Sequence, residues 1–189
     1  MADTATGADR VVEALEAYGV GYVFGNPGTT ELPLLKALAG SDVEYVLALH
    51  EDVAVAMAAG YAIGARHAGA PGTPLGVANL HVAPGVAHGL GNLYNAARAG
   101  APVLVTAGTH ARAFQPARPL LGGDLVAMTE PFTGYAAAAE AAEDIPGHLR
   151  AAVEAATTPP TGPAFLAVAL DAQRAETDAR VEPIEPRAA

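Results

Sequence analysis

Val23-Phe24-Gly25-Asn26-Pro27-Gly28-Thr29-Thr30-Glu31-Leu32-Pro33 decides the fold, because an apolar strand here runs straight into a Gly-Pro-Gly turn and then a helix start. Such a junction brings main chain to the carboxyl end of a strand, where open parallel sheets keep their ligand crevices. Glycine admits backbone conformations closed to other residues and proline stiffens the turn, so a flat ring can approach the chain closely. Pro33 helps place the helix start, since the first helical turn does not need the amide hydrogen that proline lacks. Thr30 is then the expected N-cap.

Working outward, short apolar runs recur at 20–24, 44–49, 75–80, 103–106 and 164–170, with 132–137 as a further strand. Ala-rich segments of helical length separate them. This alternation predicts an α/β fold: an open parallel sheet of about six strands with helices on both faces. Val11, Val12, Leu15 and Tyr18 recur at helical spacing before Gly19, and Leu32, Leu35 and Leu38 do so before Gly40. Both segments are read as helices packed on the sheet. A third helix from Asp52 to about His67 contains Gly60 and Gly64, which lower its propensity but would let its backbone lie close to the sheet and hold Glu51 still. One domain over 10–170 is expected, with a flexible N-terminus over 1–9 and a mobile, charged tail over 171–189.

The 189 residues, 51% of them hydrophobic, are enough for one well-buried core. A net charge of -10 argues against nucleic acid or an anionic membrane as a partner. Cysteine is absent, which removes disulfides and thiolate metal sites and fits a cytoplasmic location. The polar start and the lack of a long apolar run predict a protein that is neither exported nor membrane-bound. No zinc spacing, P-loop or dinucleotide fingerprint is present, and 89–94 lacks the third glycine of the last. The six histidines lack the i, i+4 pairing of a helical metal site, so no metal is expected in this chain.

Two residues at strand ends stand out. Glu51 follows the run at 45–49, and a carboxyl held among Leu49, Val53 and Ala54 would have its charged form disfavoured, which suits proton exchange. Position alone equally allows Glu51 to complement a helix N-terminus. His81 ends another run, and a histidine near neutral pH both donates and accepts protons, although a structural role suits a strand end as well.

Taken with Leu49-His50-Glu51-Asp52 and Asn79-Leu80-His81-Val82-Ala83-Pro84-Gly85, the opening stretch resembles the pyrimidine-binding (PYR) domain of thiamine diphosphate enzymes, most like benzoylformate decarboxylases and also like acetolactate synthases. The resemblance implies that Glu51 hydrogen-bonds the N1' of the cofactor's aminopyrimidine and activates it. It places Asn26, Pro27 and Gly28 near the cofactor rings and gives Thr29 the place of a serine that holds the substrate carboxylate. His81 would face the substrate and relay protons. His88 stands where both groups usually have asparagine, and Asn95 retains the asparagine that ends the same helix.

The diphosphate and its Mg2+ need a Gly-Asp-Gly turn with a downstream asparagine, and Gly122-Gly123-Asp124 has a different order. The resemblance therefore implies a separate pyrophosphate-binding (PP) subunit that supplies those ligands. Two PYR and two PP chains would form a heterotetramer acting on a small 2-oxo acid, by decarboxylation with or without carboligation. No activity is expected of this chain alone. The other reading is a regulatory or scaffolding relative that binds a thiamine diphosphate enzyme without contributing to catalysis.

Overall fold

Neighbouring residues of each apolar run bury on opposite sides of the chain, which makes a two-faced sheet of them. Val23 and Phe24, Val77 and Ala78, Leu104 and Val105, and Leu166 and Phe165 divide between two separate cores, as the two-residue period of a strand requires.

The structure is a computed structural model that describes residues 4–70 and 74–184. Its elements are β1 (Ala5–Thr6), α1 (Gly7–Ala17), β2 (Tyr22–Gly25), α2 (Leu32–Leu38), β3 (Glu44–Leu47), α3 (Glu51–His67), β4 (Gly76–His81), α4 (Val82–Ala99), β5 (Val103–Thr109), α5 (Leu125–Thr129), β6 (Ala136–Ala139), α6 (Ile145–Thr157), β7 (Pro163–Ala169), α7 (Leu170–Arg174) and β8 (Glu176–Thr177). Six strands form one sheet in the order β3-β2-β4-β5-β7-β6, parallel throughout. Helices α1, α2 and α6 cover one face through Val11, Leu15, Leu34, Leu38, Ile145 and Leu149. The other face is covered by α3, α4 and α5 through Val55, Ala58, Val86, Leu93 and Leu125. The expected α/β architecture is the one observed.

Helix α2 leaves β2 on one face and α4 leaves β4 on the other. The carboxyl ends of these two adjacent strands therefore flank a topological switch point, the usual crevice of an open α/β sheet.

Several boundaries differ from the sequence reading. The sixth strand lies at 136–139 instead of 132–137, because Glu130–Phe132 forms a 3-10 turn around Pro131. Thr30 is not an N-cap: Thr29–Glu31 is a 3-10 turn ahead of α2, and Glu31 occupies the cap position of that helix. This tighter first turn rotates the inward face to Leu34 and Leu38 and leaves Leu32 54% exposed. In α3 the residues facing the sheet are Ala54, Val55, Ala58 and Ala62, whereas Gly60 and Gly64 look into open space. The close approach is made by the strand instead. A side chain on Gly76 of β4 would overlap the carbonyl of Ala58.

The ends of the domain also lie further out than expected. Ala5 and Thr6 pair antiparallel with Thr177 and Glu176. Thr6 caps α1 in a reciprocal box with Asp9: the Asp9 N–H reaches the Thr6 hydroxyl at 3.2 Å, and the Thr6 N–H reaches the Asp9 carboxylate at 2.9 Å. Ala172 and Gln173 are buried, Val181 and Ile184 pack against the first core, and Arg150 pairs with Glu182. Residues 5–9 belong to the segment expected to be flexible and 171–184 to the expected tail, and in the structure they take part in this ladder and these contacts. Two-residue strands and single anchors carry no periodicity that a sequence pass can detect. Residues 1–3 and 185–189 lie outside the described residues. Among the described residues no helix is long and apolar enough to cross a membrane.

Gly76→Ala should destabilise the chain by about 1–3 kcal/mol, the usual cost of overpacking. Gly60→Ala should be neutral or stabilising, by up to about 1 kcal/mol, because it gains helix propensity in open space. Denaturant unfolding of the two variants measures both effects, and equal midpoints would contradict this account of how α3 seats on β4.

Candidate active site

The Gly25–Gly28 turn is pinned before it reaches α2. Asn26 donates its backbone N–H to the Asn79 carbonyl of β4 at 3.2 Å. Tyr45, across Gly25, donates its hydroxyl to Asn79 Oδ1 at 3.1 Å, and Asn79 Nδ2 donates to Thr106 Oγ1 at 3.0 Å. Burial pushes the Tyr45 phenol well above its usual pKa, with the nearby Glu31 charge adding to the effect. Its hydroxyl therefore stays a donor, and side chains from β3, β4 and β5 are bonded in series.

Glu31 is the hub of the turn. Only 1% of its side chain is exposed, and each carboxylate oxygen has two partners. Oε1 accepts from the Thr30 hydroxyl at 2.7 Å and the Gly108 N–H at 2.8 Å. Oε2 accepts from the Gly28 N–H at 2.8 Å and from His81 Nδ1 at 2.7 Å. A carboxylate oxygen only accepts, so Nδ1 of His81 carries the ring proton and Nε2 is left as the second functional atom. Thr30 Oγ1 lies 3.1 Å from the same Nδ1. The imidazole rests over Gly28, where any side chain would overlap the ring. Gln173 in α7 donates Nε2 to the Thr30 carbonyl at 2.9 Å, tying residues expected in a mobile tail to the turn.

His81 ends β4, and the next residue, Val82, has φ of 43° while 98% buried, at 2% exposure. A left-handed backbone is strained for a β-branched residue, and the burial of Val82 sustains it. The strain lies where strand turns into helix and sets the direction in which His81 leaves the sheet.

Glu51 belongs to a second group. It is the first residue of α3, and its side chain is 14% exposed. The surroundings expected for it are not the ones found: Leu49 is 93% and Val53 47% exposed, so neither encloses the carboxyl. It lies instead against α4, where a Cβ on Gly85 would come within 3.0 Å of Oε1. His88 Nδ1 is 3.0 Å from Oε2, and the His88 ring stacks on that of His50. Asp52 fixes the helix start by accepting from the Asn92 N–H at 2.9 Å and from Asn92 Nδ2 at 2.7 Å.

Thus Gly28 and His81 are in contact, Asn26 and Pro27 form the adjoining half-buried turn, and Thr29 stands exposed at its mouth. Glu51 sits one helical turn of α4 away from His81, through Gly85. Sequence reasoning missed Glu31, although a glutamate three residues after Gly28 has capping-box spacing. It also missed Gln173 and the grouping of His50 with His88, for which the sequence offers no local signal. Gly122-Gly123-Asp124 is a helix start, in which Asp124 accepts from the Ala127 N–H at 3.0 Å. A cavity of about 550 Å³ opens beside Val82 at the ends of β5, β6 and β7, roofed by the loop that carries Arg118, Leu121 and Gly123.

Residues 5–144 match the family model described as thiamine pyrophosphate enzyme, N-terminal TPP binding domain. The chain is 35% identical over 176 residues to a benzoylformate decarboxylase of Pseudomonas aeruginosa, covering 93% of this chain and 32% of that enzyme. It is 30% identical over 173 residues to the acetolactate synthase large subunit of Haemophilus influenzae, covering 88% and 28% respectively. Among solved structures it is similar to the thiamine diphosphate-dependent 4-hydroxybenzoylformate decarboxylase of Rhodococcus jostii RHA1, with a TM-score of 0.81, 32% identity, and coverage of 95% of this chain and 32% of that one. The chain spans about a third of the length of these relatives. The resemblance drawn from the three motifs is borne out.

Glu31→Gln keeps the shape but turns an NH2 group toward one pair of donors, so stability should fall by about 1–3 kcal/mol. Nitrogen NMR of His81 should show Nδ1 protonated in the native chain and a mixture of tautomers in the variant. Unchanged stability and an unchanged tautomer would contradict the proposed network.

Proposed function

This chain belongs to the thiamine pyrophosphate enzymes through their N-terminal TPP-binding domain, and from that premise we propose that it is the PYR subunit of a split thiamine diphosphate enzyme acting on a 2-oxo acid. The observation that carries the reading is the state of Glu51: a carboxyl at a switch-point crevice, backed by Gly85, with one side-chain partner and bare apolar neighbours. Leu49 and Val53 expose apolar surface beside it, as expected of a site that a partner covers. Decarboxylation is the preferred chemistry, with carboligation as the alternative fate, because relatives named benzoylformate and 4-hydroxybenzoylformate decarboxylase share both sequence and fold with this chain.

The residues present fit one end of the cofactor. Glu51 offers a carboxylate oxygen to the aminopyrimidine, and the Asn26-Pro27-Gly28 turn offers close main-chain approach to a flat ring. They do not fit the diphosphate end, since the sequence has no Gly-Asp-Gly and Asp124 is engaged as a helix cap. A PP subunit carrying Gly-Asp-Gly and a downstream asparagine would supply Mg2+ and hold the diphosphate, in a complex of two chains of each kind.

When bound, thiamine diphosphate supplies a nucleophilic carbon and an electron sink for cleavage beside a carbonyl. Glu51 would hold or release a proton for a pyrimidine nitrogen through its carboxylate. Thr29, at the exposed mouth of the turn, gives a hydroxyl to the substrate carboxylate. His81 moves protons at the substrate through Nε2, because Glu31 holds Nδ1. The cavity beside Val82 leaves room for the side chain of the 2-oxo acid.

Two experiments test this. Native copurification should yield a near-stoichiometric partner with Gly-Asp-Gly and a downstream asparagine; its absence would favour the regulatory relative. In the reconstituted complex Glu51→Gln should lower turnover by at least about 10²-fold, the usual loss for a general acid–base group. A fully active variant would sink the assignment of Glu51.

A further inference from the structure

The fold gathers three metal-type donors that the sequence leaves unconnected. His50 is the N-cap of α3, Glu51 is its first residue, and His88 lies in the second turn of α4. One donor atom of each lies within 4.8 Å of the others, the single such group among the described residues. Glu51 Oε2 and His88 Nδ1 are 3.0 Å apart. The rings of His50 and His88 stack with centroids 4.9 Å apart and 26° between planes. A hydrogen bond accounts for His88 and Glu51, but the stacked His50 brings in a third donor that this bond does not need.

Two imidazoles and a carboxylate form the donor set of an open zinc-type site, with three protein ligands and a position left for water or another ligand. Mg2+ is a poor match, because it favours six oxygens in near-ideal octahedral geometry. His50 and His88 are exposed, so an ion can enter from solvent. The net charge of -10 favours its approach.

We propose that His50, Glu51 and His88 bind a divalent transition-metal ion of the zinc class. Coordination through either nitrogen of His50 ends the 3.2 Å bond from the Asp52 N–H to Nδ1. It does so because the metal takes that lone pair or because the ring proton moves there. The start of α3 survives this, since Asp52 keeps its two bonds to Asn92. The consequence for activity rests on the proposed function: the metal and the aminopyrimidine would use the same carboxylate, so each excludes the other.

Calorimetric titration of the full chain with Zn2+, and visible absorption with Co2+, provide the test. One equivalent should bind, with the Co2+ form giving the d–d spectrum of a tetrahedral site. His50→Ala and His88→Asn should each weaken binding by more than about tenfold, since even groups that only support a ligand contribute that much. His67→Ala, at the far end of α3, should leave binding unchanged, and circular dichroism checks that each variant folds. No saturable binding, or binding that survives both substitutions, would overturn the site and place the ion on the general acidic surface. In the reconstituted complex, Zn2+ added before the cofactor should suppress turnover, and a zinc-selective chelator with Mg2+ in excess should restore it. Turnover unaffected by bound Zn2+ would overturn the exclusion, while a zinc-free complex supplied with Mg2+ and cofactor that shows no turnover would count against the proposed function and leave the titration standing.

Discussion

The buried carboxylate of Glu31 is the constraint around which the carboxyl edge of the sheet is arranged. Taking a charge out of water costs several kcal/mol even after relaxation, and the cost is offset only when every acceptor position finds a donor. Here the donors come from the Gly28 turn, from Thr30, from Gly108 near the end of β5 and from His81 at the end of β4. No three of them are local to one element. The carboxylate is therefore satisfied only if β2, β4 and β5 lie side by side, as the observed sheet order provides.

The same constraint propagates outward. His81 can reach Glu31 only across a residue with no side chain, which is why the turn ends in Gly28. The strained backbone of Val82 immediately follows, with the residue itself buried. Gln173 closes the arrangement from behind by binding the Thr30 carbonyl. The series Tyr45, Asn79 and Thr106 repeats the principle one layer below, with each polar side chain given a partner on another strand.

Glu31 and Glu51 differ in what is left to them. Glu31 has all its acceptor positions filled and is sealed from solvent, so it can orient His81 but has no capacity to take part in chemistry itself. Glu51 has a single side-chain partner, exposed neighbours and a glycine at its back. Local sequence does not rank the two: each is a glutamate near a helix start after an apolar run. Glu51 stands out in the sequence through the motifs around it, and Glu31 through nothing more than its spacing from Gly28.

What the sequence determined by itself was the layout: apolar runs alternating with helical segments, a parallel sheet with two covered faces, and Glu51 and His81 beyond strand ends. These follow from periodicity and turn chemistry, which are set by residues within a few positions of one another. The tertiary structure decided which groups are partners. The bonds from His81, Gly108 and Gln173 to the turn span 50, 77 and 143 positions, and the strand that joins the two ends is a ladder of two residues. The meeting of His50 with His88 depends on how α3 and α4 pack. Hydrogen bonds and donor clusters at such separations leave no local pattern, because they are selected by the cost of leaving a buried polar group unpaired, and burial exists only once the chain has folded.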